Sequence, residues 1–142
     1  MTTYLLDVNV LIALAWPSHT HHSIVRSWFR EHARTAWATC PITQAAFIRI
    51  SSNPAIIADA VRPEQALEKL KDLTGRSGHY FWPDDVSMAE TSFSFPSLLI
   101  GHRQVTDAYL LALALENNGC LATLDRGLFE MARAGGGVFL LA

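Results

Sequence analysis

The chain has 142 residues, 50% of them hydrophobic and 17% charged, with a formal net charge of −2. That length and composition suit one folded domain, 1–142, with a sizeable core, and they exclude a disordered chain. The slight negative charge excludes a simple basic nucleic-acid clamp, but not an enzyme that meets nucleic acid through metal ions. Cys40 and Cys120 lie in apolar, strand-like runs without metal-ligand spacing, as buried free thiols in a reducing compartment would. A basic leader and an apolar run of membrane-spanning length are both lacking, so a cytoplasmic protein without membrane association is expected.

The run Tyr4-Leu5-Leu6-Asp7-Val8-Asn9-Val10 begins as a buried strand, about Thr3 to Leu6, and ends on a carboxylate. Apolar residues resume at helical spacing from Val10 to Ala15, and Trp16-Pro17 stops that helix. Ser18 or Thr20 is the expected cap of a second helix reaching about Ala33, with Ile24, Val25, Trp28 and Phe29 as its apolar stripe. His19, His21 and His22 crowd its start; they stand too close together to converge on one metal ion, and an exposed polar turn is expected.

Trp37 to Cys40 is the second expected strand, followed by a helix from Gln44 to Ile50 capped by Thr43. A short helix is expected at about Ala55 to Ala60. Another starts at Pro63, with Leu67, Leu70 and Leu73 buried and Gly75 as its C-cap. His79 to Trp82 is strand three, and Asp84-Asp85 is expected to cap the next helix rather than bind a cation. In residues 86–101, Phe93, Phe95, Pro96, Leu98 and Leu99 should pack through short helices or a loop. The clearest helix runs from Thr106, its N-cap, to Asn117, with Asp107 in its first turn and Gly119 ending it. Leu121 to Leu124 is strand four, ending at Asp125; a short helix covers Leu128 to Ala134; Val138 to Leu141 is strand five.

Strands alternating with helices predict an α/β fold: a central parallel sheet of about five strands with helices on both faces. All strands then end at one edge, where ligands bind in open α/β sheets. Asp7 and Asp125 end strands there. A helix leading into a strand begins at the same edge, which adds Asp107, and the helix after strand two adds Gln44. Two carboxylates ~4 Å apart repel by on the order of 4 kcal/mol at an effective dielectric of 20. Three of them call for protons or a cation, and all-oxygen ligands favour Mg²⁺ or Mn²⁺. Each acid also has a structural role open to it: Asp7 as a helix cap, Asp107 as a dipole partner, Asp125 as a turn residue. Asn9 is placed to orient Asp7 or the loop backbone. Arg103, His102 and Arg126 are candidates for phosphate contacts; Arg49 is either one of these or an internal partner.

Leu5-Leu6-Asp7-Val8-Asn9-Val10-Leu11, Val105-Thr106-Asp107-Ala108-Tyr109-Leu110, and Leu121-Ala122-Thr123-Leu124-Asp125-Arg126-Gly127 resemble the ordered motifs of PIN-domain ribonucleases. The resemblance is greatest to VapC toxins of toxin–antitoxin pairs, and it spans the chain. It implies a PIN-like three-layer sandwich and a Mg²⁺- or Mn²⁺-dependent endoribonuclease that cleaves cellular RNA and inhibits translation and growth. It also implies a homodimer and a VapB-type antitoxin that blocks the site. The family's metal-binding acids correspond to Asp7, Asp107 and Asp125. Its usual glutamate on the helix after strand two is Gln44 here, which carries no charge and cannot act as a base. A catalytically impaired binding module is therefore a second reading. A third is a phosphatase with Asp7 as nucleophile, from the Asp-x-Asn after strand one.

Overall fold

In the computed structural model, residues 1–90, 101–132 and 135–142 are described. The expectation for residues 86–101 therefore falls mostly outside the described residues.

Strands β1 (Tyr4–Leu6), β2 (Trp37–Thr39), β3 (His79–Phe81), β4 (Cys120–Thr123) and β5 (Val138–Leu140) form a five-stranded sheet in the order β3-β2-β1-β4-β5. Every pairing is parallel, with Leu5 opposite Ala38 on one side and Leu121 on the other. Because side chains alternate along a strand, β1 feeds two cores. Leu6, Trp37 and Ala122 face α1 (Val8–Ala15), α2 (His22–Trp28), α3 (Pro41–Ser51) and α4 (Pro63–Thr74). Leu5, Ala38 and Leu121 face α5 (Val105–Glu116) and α6 (Arg126–Ala132). This is the three-layer arrangement anticipated from the strand–helix alternation. No helix among the described residues is long and apolar enough to cross a membrane.

Several local expectations are corrected. The second helix is capped neither by Ser18 nor by Thr20. It starts after His21, whose N–H bonds His19 Nδ1, while His22 Nδ1 lies 2.7 Å from the Ala13 carbonyl. The three histidines are half-buried and brace the α1–α2 turn, not an exposed polar turn. The helix ends in a π-helical turn, Phe29–Ala33. Thr43 is not the cap of α3: the helix starts at Pro41, and the Thr43 hydroxyl accepts the Cys40 N–H at 3.0 Å from within the first turn. Residues 55–60 form turns rather than a helix. Ala66, not Leu67, joins Leu70 and Leu73 on the buried face of α4. Cys40 is buried and Cys120 half-buried, both free.

Thr106 is likewise not the cap of α5. A 3-10 turn, His102–Gln104, leads directly into Val105, so Asp107 stays in the first turn. At the other end Asn118, at φ 56°, takes the left-handed position. The bonds Asn118 N–H to Leu115 and Gly119 N–H to Ala114 close a Schellman motif. Gly119 is needed for a different reason: a Cβ there would lie 2.7 Å from both the Thr3 carbonyl and the Trp82 ring.

Candidate active site

The carboxyl edge of the sheet is built outward from Asp7. One step beyond the Leu6–Ala122 pairing, Asp7 lies beside Thr123, and its N–H bonds the Ala122 carbonyl at 2.9 Å. It is 5% exposed, and each of its carboxylate oxygens accepts a hydrogen bond. Oδ1 accepts the Val8 N–H, which makes Asp7 the cap of α1, and Oδ2 accepts the Thr123 hydroxyl, both at 2.8 Å. Burial pushes the Asp7 pKa up, the Thr123 and Val8 bonds pull it down, and the charge of Asp125 adds to the rise.

Thr123 connects the site. Its hydroxyl donates to Asp7 and accepts from Asn9 Nδ2 at 3.3 Å and from the Asp125 N–H at 3.0 Å. One donor and two lone pairs are thus all used. Asn9 Oδ1 accepts the Leu124 N–H at 3.1 Å, so Asn9 braces the loop after β4 as well as Thr123. Asp125 is exposed and accepts the Leu128 N–H at 3.1 Å, which caps α6. The cap and turn roles of Asp7 and Asp125 are therefore real. They coexist with convergence, since each cap leaves lone pairs over.

Asp107 comes from α5 on the face that Asp7 and Thr123 share by strand parity. Burial raises its pKa from 3.8 to about 6, and the negative charges of Asp7 and then Asp125 contribute. The charges of Asp7 and Asp125 thus both reach Asp107, and that of Asp125 reaches Asp7. Their oxygens suit a hard divalent ion in kind and charge. Among the described residues no group of three or more His, Cys, Asp or Glu stands ready to hold a metal ion. Mg²⁺ does not need one, because it keeps several waters and takes one or two carboxylates directly.

Gln44 is placed differently. Its Nε2 donates to Thr39 Oγ1 at 2.9 Å, and that oxygen lies 2.8 Å from His79 Nε2. Thr39 has the parity of Trp37, so this bond anchors the amide on the α1–α4 face, away from the parity of Asp7. Arg49, His102 and Arg103 are exposed. Arg126 reaches the carbonyl of Ala142 at 3.2 Å.

Two residues of this edge escaped the sequence argument. One is Thr123, the last residue of β4, whose only sequence signal is its place in the motif Leu121-Ala122-Thr123-Leu124-Asp125. The other is Asp84, which caps no helix. It follows β3 and accepts the Tyr109 hydroxyl at 3.1 Å, with burial and this bond pushing the phenol up to about 12.

Comparison with known proteins fits this edge. The PIN domain family model matches residues 4–134. Ribonuclease VapC39 of Mycobacterium tuberculosis is 45% identical over 133 residues, covering 94% of this chain and 96% of that protein. Ribonuclease VapC38 of the same species is 46% identical over 129 residues, covering 91% and 89%. In fold, the chain matches a structure described as VapBC2 from Rickettsia felis bound to a DNA fragment from their promoter. The TM-score is 0.63 at 15% identity, over 99% of this chain and 100% of that one. The phosphatase alternative falls with these matches. An acid-lined parallel-sheet edge in the expected order of motifs, together with near-complete alignment to such relatives, means that the chain belongs to the PIN-domain family, among the VapC ribonuclease toxins.

Proposed function

We propose that this protein is a Mg²⁺- or Mn²⁺-dependent endoribonuclease toxin in which Asp7, Asp107 and Asp125 hold the metal, one or two of them directly and the rest through its waters. The observation that carries the proposal is the Asp107 carboxyl, raised to about 6 by burial and by the charges of Asp7 and Asp125. A carboxyl raised first by burial and then by two neighbouring negative charges is one whose ionised form a divalent cation would favour. A bound Mg²⁺ or Mn²⁺ supplies Lewis-acid stabilisation of phosphodiester oxygens and activates water as the nucleophile.

The chain's own residues supply position and charge. Thr123 and the Val8 N–H favour the ionised form of Asp7 despite its burial. Asn9 fixes Thr123 and the loop that presents Asp125. Arg103 and His102, beside the start of α5, are suited to steady the substrate's phosphates. The biological setting proposed with this chemistry is a cytoplasmic homodimer that cleaves cellular RNA and inhibits translation and growth. A VapB-type antitoxin holds it in check, as the VapBC relatives suggest.

Purified protein should cleave RNA with Mg²⁺ or Mn²⁺, and Asp7→Asn, Asp107→Asn and Asp125→Asn should each abolish cleavage. Wild-type protein that cleaves no RNA, and whose expression harms no cell, would sink the reading. The neutral Gln44, bonded to Thr39, supports one other reading, a binding module that keeps the fold with little catalysis. Cleavage that appears only in Gln44→Glu would favour it.

A further inference from the structure

A concentration of positive charge lies at the opposite edge of the sheet from the acids. A cavity of about 610 Å³ opens at the amino-terminal edge of the sheet, below Trp37. Its walls carry Arg26, Arg30, Arg34, Lys69 and Arg76, five of the chain's eleven Lys and Arg residues, with Phe29 among the apolar lining and no acid. Arg76 pairs with Asp72 outside the cavity at 3.0 Å, and Lys69 lies 6.0 Å from the centre of the Trp16 ring. Arg26, Arg30 and Arg34 have no ion-pair partner among the described residues.

Three arginines spaced by four along one helical segment repel one another. The helix dipole favours cations in the last turns, but that holds for each arginine singly and does not call for three on one cavity wall. The π-helical turn Phe29–Ala33 falls within this same wall, where Arg34 N–H bonds Phe29 at 2.8 Å. Arginine forks match phosphate oxygens in pairs. In a protein of net charge −2 such a cluster cannot come from diffuse basicity. The acids sit at the carboxyl edge, after β1 and β4 and at the start of α5, so one strand of nucleic acid reaches both places only by passing around the sheet.

We propose that this cavity is a phosphate-binding exosite for the RNA substrate, engaging backbone remote from the cut. It rests on the ribonuclease reading for the identity of its ligand. It implies that long or structured RNA is preferred to a short oligonucleotide, because only the former spans both edges.

The test uses full-length protein carrying Arg26→Gln, Arg30→Gln and Arg34→Gln, three exposed positions, with the melting temperature checked against wild type. RNA binding is measured on the Asp7→Asn background, so that cleavage plays no part. Affinity for a long structured RNA should fall by about tenfold or more, and the slope of log K against log salt should become shallower by ~2, at ~0.7 per lost phosphate contact. With Asp7 intact, KM for that RNA should rise at unchanged kcat, while a short oligonucleotide should be cleaved as by wild type. Unchanged affinity and slope would overturn the proposal. So would a variant that binds RNA normally but no longer binds an acidic protein partner. If wild type cleaves nothing, the ribonuclease reading fails, while the binding arm still decides whether the cavity takes RNA.

Discussion

Asp107→Asn should make the metal-free protein more stable at neutral pH while silencing it. The carboxyl of Asp107 titrates at about 6 in the folded chain against 3.8 ordinarily. The folded state therefore keeps its proton longer than the unfolded state, and stability falls as pH rises from about 4 to about 6. For a fully desolvated group that displacement is worth ~3 kcal/mol. Asp107 is only half-buried, so solvent screening reduces the cost at neutral pH to about 1–2 kcal/mol. Asparagine has nearly the same shape and no charge, so it escapes that cost. Urea unfolding in EDTA should find the variant ~1–2 kcal/mol more stable at pH 7 and equal to wild type near pH 4. Added Mg²⁺ should raise the melting temperature of wild type and leave the variant nearly unmoved. A variant less stable at pH 7, or a difference that does not change with pH, would refute the idea that burial and the charges of Asp7 and Asp125 penalise the ionised Asp107 at this edge.

Thr123→Val should cost ~1–3 kcal/mol in denaturation, because the buried Asp7 Oδ2 loses its donor and Asn9 its anchor. Thr123→Ser should restore most of the stability and the cleavage rate; a valine variant as stable as wild type would refute the network. Gln44→Glu should lower the Mg²⁺ concentration needed for half-maximal cleavage several-fold, since an added charge near the cation is worth on the order of 1 kcal/mol. An unchanged requirement would place residue 44 outside the site. Gly78→Ala should destabilise by at least about 2 kcal/mol. Gly78 has φ +95°, and a Cβ there would meet the Arg34 carbonyl at 2.0 Å; a melting temperature near that of wild type would contradict that contact.

The amino-acid sequence alone determined the alternation of strands and helices, because each strand here is a short apolar run and each long helix carries a buried face. From that alternation follow the parallel sheet, its common carboxyl edge, and the presence there of Asp7, Asp107 and Asp125. Helix starts were misjudged at Thr43 and Thr106. A hydroxyl inside the first turn can satisfy a free N–H as well as one at the cap, and a 3-10 turn can lengthen the start unseen.

What only the tertiary structure decided are relations between side chains that no spacing encodes. Gln44 lies on the helix that topology brings to the edge, yet its amide is bonded to Thr39, on the opposite strand parity from Asp7. Thr123 became the centre of the acid edge because the β1–β4 register sets it against Asp7, 116 residues away. Arg26, Arg30 and Arg34 share one helical face by their spacing, but only packing sets Lys69 and Arg76 of the α4 region opposite them around one cavity. A residue's own type and period tell which face it occupies; which groups that face meets depends on register and packing between distant segments.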